Sequence, residues 1–344
     1  MTGPVRVAIL GCAHRPHAWA YARALSASAR ARLVAVYDED PALGRSVADD
    51  FGATWTDDLP TLLRDGDLEA VVVCSATSRH REHVEQAAAA GLHVLCEKPI
   101  ATSLRDASTM LAACHEAGVQ LHLAFVSRFL PHVRTAKAAL DAGSLGDVVG
   151  MRLVNRGRPP LPPHYPAWIT TVEESGGGAL IDHSVHLTDL VRHLTGREVR
   201  RVAAETGTLL WDTDVEDCAL LSLVLDDGTV VALDPSWSVP AGNPWDYDFS
   251  LHLVGTRGSI DLDDLAESVQ VVSPRLGAGL RLAGFAEDPD IAMLDAFCES
   301  VRLGRPVSPS ATGEDGLRAL EVALAGYASA ADGARPVVVG GGPS

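Results

Sequence analysis

The sequence predicts an α/β protein: a doubly wound parallel sheet over residues 1–124, followed by an α+β unit over residues 125–344. Three observations predict it. The 344 residues exceed what one core ordinarily organises, so two domains are expected. The first third alternates short apolar runs with helical stretches, the pattern of βαβ units. Beyond residue 125 the strand-like runs alternate apolar with polar side chains and are joined by hairpin signals.

The elements follow in order. VRVAIL (5–10), LVAVYD (33–38), AVVVCS (70–75), HVLCE (93–97) and QLHLAF (120–125) are continuous apolar runs of strand length, as expected where helices cover both sheet faces. REHVEQAAAAG (81–91) and LRDASTMLAACHEAG (104–118) read as helices closed by glycine. PHVRTAKAALDAG then predicts a helix and DVVGMRLVNRG a strand. A Pro-rich loop, RGRPPLPPHYPAW, leads to the helix GGGALIDHSVHLTDLVRHL. The turns DDG (226–228) and GTRG (255–258) predict hairpins, and PDIAMLDAFCESVRL and GEDGLRALEVALAGYASA two closing helices. One face of the second sheet is left open for covering, for which a further subunit is a candidate.

Composition narrows the function. A formal charge of −17 argues against nucleic-acid and anionic-membrane partners, which need a basic face. MTGPVRVAIL enters the first strand without a signal-peptide pattern, and no apolar run reaches membrane-spanning length. The six scattered cysteines contain no C-x-x-C pair, so free thiols in a reducing cytoplasm are expected.

Four motifs carry chemistry. Gly11 ends the first strand as in a dinucleotide-binding G-x-G-x-x-G turn, but Ala13 and Pro16 occupy the other glycine positions. Pro16 suits the first turn of a helix, whose N-terminus would still face phosphates through the N–H groups of His17 and Ala18. His14 or Arg15 can supply positive character there, although a loop shaped only for packing is the alternative. Asp38 closes the second strand, where an acid accepts hydrogen bonds from ribose hydroxyls and repels the 2′-phosphate of NADP. Glu39 and Asp40 offer no basic replacement; an Asp at this corner can equally cap the helix starting at Pro41.

Glu97-Lys98-Pro99 follows the fifth strand, at the sheet edge where such folds bind ligands. An ammonium there can stabilise an oxyanion, and a solvated turn is the plainer reading. Asp182 and His186, four apart on one helix face, pair a carboxylate with an imidazole suited to acid–base work. Asp189 and His193 continue the stripe. A metal site lacks further ligands, and a solvated polar face is the other alternative.

Taken in this order, CEKPIATS, SATSRHREHVEQAAAAGLHV, FVSRFLPHVRTAKAALDAGSLGDV, GGGALIDHSVHLTDLVRHLTG and GEDGLRALEVALAGYAS resemble the glucose–fructose oxidoreductase / inositol dehydrogenase / rhizopine-catabolism (Gfo/Idh/MocA) family over nearly the whole chain. The resemblance implies an N-terminal Rossmann domain that binds NAD(P) and a C-terminal domain with a large, mostly antiparallel open sheet. It implies hydride transfer between nicotinamide and a secondary alcohol or ketone of a sugar or cyclitol. Lys98, Asp182 and His186 match the family's catalytic positions. Gly11, Ala13, His14, Arg15, Asp38, Ser75, His80, Glu97 and Lys98 fall where it holds the cofactor, and the Lys98–Pro99 bond is expected to be cis. His164, Tyr165 and Trp168 in the Pro-rich loop are candidate sugar contacts.

The expectation is therefore an enzyme: a cytoplasmic, NAD-preferring oxidoreductase without a metal, a homo-dimer or homo-tetramer through its C-terminal sheet. The rival readings are a glycoside-cleaving enzyme that uses NAD transiently, and a non-catalytic dinucleotide sensor.

Overall fold

The computed structural model describes residues 3–64, 66–162, 165–240, 242–243, 246–263, 268–272, 280–284 and 287–340. The first layer contains β1 (Val5–Leu10), α1 (Arg15–Ala27), β2 (Ala31–Tyr37), α2 (Pro41–Phe51), β3 (Thr54–Thr56), α3 (Leu59–Leu63), β4 (Ala70–Val73), α4 (His80–Ala89), β5 (His93–Cys96), α5 (Leu104–Ala117) and β6 (Leu121–Leu123). Its strand order is β3-β2-β1-β4-β5-β6, all parallel. The chain order reverses direction between β1 and β4, so the crevice at their carboxyl ends is the ligand position of this fold. Val7, Ile9, Val71, Val72 and Val94 are fully buried, which explains the unbroken apolar runs.

The second layer is built from α6 (Pro131–Asp141), β7 (Val148–Gly157), α7 (Val172–Ser175), α8 (Ala179–Thr195), β8 (Val199–Gly207), β9 (Cys218–Leu225), β10 (Val230–Asp234), β11 (Tyr247–Gly255) and β12 (Gly258–Asp263). The small β13 (Ser268–Val272) and β14 (Leu280–Gly284) hairpin, α9 (Pro289–Leu303), β15 (Ala311–Thr312), α10 (Gly313–Ala331) and β16 (Val337–Val338) follow. The large sheet runs β12-β11-β7-β10-β9-β8-β16, antiparallel except for the β7–β10 pair. Both predicted hairpins form, β9–β10 and β11–β12. Leu221, Leu223, Leu251 and Leu253 face the core beside Leu180, Leu187, Leu320 and Ala323 of α8 and α10. The opposite face carries Leu220, Val230 and Val254 in solvent.

The chain crosses between the layers more than once. Met293, Leu294, Phe297 and Cys298 of α9 join the core under α1, and β15 pairs antiparallel with β6. Both layers are thereby tied on either side of one cleft.

Candidate active site

The cofactor half of the cleft starts at Gly11. Its φ is +83°, and a Cβ there would lie 2.8 Å from Cα and Cβ of Ser75, so only glycine lets β1 and β4 approach this closely. Its N–H donates to the Tyr37 carbonyl at 2.8 Å. Cys12 N–H donates to Asp38 Oδ2 at 2.6 Å and Asp40 N–H to Oδ1 at 2.8 Å. Asp40 is the residue that caps α2, accepting from Ala42 N–H. Asp38 is thus free of capping and stands at the end of β2 with lone pairs beyond the two in use.

α1 begins with no side-chain cap at His14 and with Arg15 and Pro16 in its first turn. The N–H of Ala18 is not available, since it closes the first helical turn onto the His14 carbonyl at 3.0 Å; Arg15 and His17 keep theirs outside the ladder. His14 is not a cation either. Burial first, and its neighbour His17 second, push it down to about 3. Its ring stacks on His17 at 3.7 Å between centroids. The exposed Arg15 remains the positive group of the loop.

Three further expected cofactor contacts are internal braces. His80 is buried, with Nε2 3.2 Å from the Ser75 carbonyl and Nδ1 3.1 Å from that of Pro99. It staples the loops after β4 and β5 and presents no surface to a ligand. Ser75, also buried, pairs its hydroxyl with His83 Nδ1 at 3.0 Å while backing Gly11. Glu97 is spent in the same way: Oε1 meets His17 Nδ1 at 2.6 Å and the Tyr21 hydroxyl, and Oε2 accepts Lys98 N–H at 2.8 Å. Burial would raise its carboxyl, but His17 and Lys98 outweigh that and hold it well below the usual range.

The chemical half joins the layers. The Lys98–Pro99 bond is cis. Lys98 Nζ donates to Asp182 Oδ1 at 2.5 Å and to the Asp182 carbonyl at 3.2 Å. Asp182 Oδ2 accepts from the fully buried Trp237 indole at 3.0 Å and lies 3.3 Å from His183 Nε2. Burial works to raise Asp182, but Lys98 and then His183 keep it far below the normal carboxylate range. Its oxygens therefore orient the lysine, not the imidazole of His186. His186 sits one turn along α8, 8% exposed, edge-on to Phe125, with Nδ1 sealed and unpartnered. Burial first, then Lys98 and His183, drive it well below the ordinary histidine value, so the ring is neutral. Asp189 leaves the stripe altogether: fully buried, it accepts Arg128 Nη2 at 2.6 Å and Nε at 2.7 Å.

The loop after β7 walls the cleft. Tyr165 packs edge-on against His14, and Trp168 donates its indole N–H to the Ala13 carbonyl at 3.1 Å. His164 lies outside the described residues. Together His14, His17, Lys98, Tyr165, Asp182 and His183 line a cavity of about 850 Å³. The glycine cradle, the free N–H groups of α1 and Asp38 sit at the carboxyl ends of β1 and β2, so these residues fit a dinucleotide. Among the described residues no three His, Cys, Asp or Glu side chains converge on a metal position, and no helix is long and apolar enough to cross a membrane.

Sequence reasoning missed His183, Trp237 and the side chain of His17, of which it used only the N–H. His183 neighbours Asp182 and turns to the same cleft; His17 follows His14 by three residues at the head of α1. Either spacing could have flagged them. Trp237 reaches Asp182 only through the second sheet, and no local signal announces it.

A doubly wound nucleotide layer braced to an antiparallel sheet, with lysine, aspartate and histidine meeting at their seam, defines a two-domain dinucleotide-dependent oxidoreductase. Residues 5–125 match the model of the oxidoreductase family with NAD-binding Rossmann fold, and residues 133–261 that of the GFO/IDH/MocA C-terminal domain. The chain belongs to the GFO/IDH/MocA family of NAD-dependent oxidoreductases. It is 31% identical to the myo-inositol 2-dehydrogenase of Thermotoga maritima over 78% of each chain. It is also 31% identical to the myo-inositol dehydrogenase Hyg17 of Streptomyces leeuwenhoekii, over 96% of this chain and 99% of that one. The crystal structure of GenD2 from gentamicin A biosynthesis, in complex with NAD, superposes with a TM-score of 0.84 at 30% identity, covering 98% of this chain and 97% of that chain.

Proposed function

We propose that the protein interconverts a secondary alcohol and a ketone on a sugar, cyclitol or related polyol. The observation that carries this reading is the Lys98–Asp182 pair in the lining of the cleft, with the buried imidazole of His186 one turn further along α8. Bound NAD supplies the nicotinamide that accepts or returns hydride. His186 takes the hydroxyl proton, which requires the neutral ring its burial enforces. Lys98 donates to the same oxygen and stabilises its developing charge, while Asp182 and Trp237 hold the ammonium in place. Tyr165 and Trp168 offer aromatic faces to the sugar C–H surface, in keeping with the inositol dehydrogenases among its relatives. The open sheet face supports assembly into a homo-dimer or homo-tetramer, and the six unpaired cysteines suit a reducing cytoplasm.

The test is a pH–rate profile of wild type and His186→Asn on a cyclitol and sugar panel, with NAD affinity measured alongside. The variant is expected to lose ~10²–10⁴ in kcat with NAD affinity unchanged. Because burial lowers His186, the wild-type rate should be level through neutrality and fall only at pH well below 6.5, where the ring gains its proton. Wild-type kcat in the variant would make His186 structural and turn attention to His183.

A further inference from the structure

The corner that faces the adenosine ribose contains a cation that the sequence around Asp38 does not announce. Arg79, in the turn between β4 and α4, places Nη1 3.0 Å from Glu39 Oε2 and Nη2 2.9 Å from Glu39 Oε1. The Tyr37 hydroxyl donates to the same Oε1 at 3.1 Å, and Glu82 stands 3.6 Å from Nη2. The paired fork fixes the guanidinium in a plane beside the residue that follows Asp38. Both side chains keep substantial exposure, so neither is needed for the core.

Adjacent to the ribose acid is where dinucleotide folds that take a 2′-phosphate put an arginine. Here that arginine is present but occupied. Two donors are turned onto Glu39, whose negative charge adds to those of Asp38 and Asp40 on one short turn. We propose that Glu39 is a cofactor-specificity residue: it locks Arg79 away from a 2′-phosphate and so excludes NADP, over and above the repulsion from Asp38. This rests on the NAD-dependent reading and deepens it. Glu39 acts through Arg79 and touches no reacting atom.

Removing Glu39 takes away one repulsive charge and releases a bidentate donor, whereas neutralising Asp38 takes away one charge and leaves Arg79 paired. Calorimetric Kd values for NAD and NADP separate these effects without any turnover. In Glu39→Ala the NADP-to-NAD Kd ratio is expected to fall about tenfold or more, chiefly through tighter NADP, since charge-assisted hydrogen bonds are the stronger kind. Asp38→Asn is expected to weaken NAD and to bring a smaller gain in NADP affinity. Adding Arg79→Ala to Glu39→Ala should return the ratio most of the way to wild type. An unchanged ratio in Glu39→Ala, or a gain that survives loss of Arg79, overturns the proposal while leaving NAD dependence intact. A wild-type protein that binds neither dinucleotide overturns both.

Discussion

Lys98 is held by three contacts that come from three parts of the chain: its own strand end, α8, and the Trp237 segment acting through Asp182. The side chain is only 9% exposed, so its ammonium has exchanged water for a carboxylate. Asp182 keeps that bargain at every working pH. Its folded value lies below the unfolded one, so the stability it contributes is present above the ordinary aspartate range and is lost only as pH falls toward that depressed value. Asp182 therefore stays ionised through the neutral range. Replacing Lys98 with Met removes the oxyanion donor while keeping the apolar stem. It is expected to lower kcat by ~10²–10³ with a much smaller change in NAD Kd, measured by steady-state kinetics and calorimetry.

At the scale of elements, the starts of α1 and α2 divide two tasks between neighbouring acids and a glycine-poor turn. α2 begins conventionally, with Asp40 as cap and Pro41 in the first turn. α1 begins uncapped, and its unused N–H groups face the cleft side of the loop. An uncapped helix head has a reason to persist where an anion completes it. Asp40→Ala should then destabilise by about 0.5–2 kcal/mol, the usual loss for a side-chain cap, read as a shifted urea midpoint. NAD affinity should hardly move, because the Asp40 N–H that anchors Asp38 belongs to the backbone and survives the change. A large loss of NAD binding would mean that the cap positions the ribose acid.

For the whole molecule the open face of the second sheet is the unbalanced feature. Leu220 is 63% exposed and Val230 53%, while the alternate residues of the same strands are sealed against α8 and α10. Burying such a face against a second copy removes apolar area from water and covers strands that would otherwise invite irregular pairing. Leu220→Arg places charges on that face without touching the core. It is expected to shift sedimentation toward the monomer while leaving far-ultraviolet dichroism unchanged. A wild-type chain that sediments as a monomer removes this assembly.

The sequence by itself determined the first layer almost element by element, because strands covered on both faces must be apolar throughout and their helices end in glycine or begin at capping residues. It also determined the hairpins, the motif order, and the placing of Asp182 and His186 one turn apart on a single helix. It could not show β8: a register shift between Val199 and Arg201 leaves two adjacent exposed arginines and breaks the two-residue period. β3 and β15, three and two residues long, carry too little pattern to read. Only the tertiary structure decided which polar residues are contacts and which are braces. His80 and Glu97 lie in the right motifs, yet their atoms are consumed inside the fold. Arg79 and His183 lie inside those motifs without standing out and Trp237 outside them, yet they reach Glu39 beside Asp38 or Asp182 in the cleft. Local spacing sets which way a side chain leaves its own element. What meets it there is set by the packing of two layers whose elements are distant in sequence.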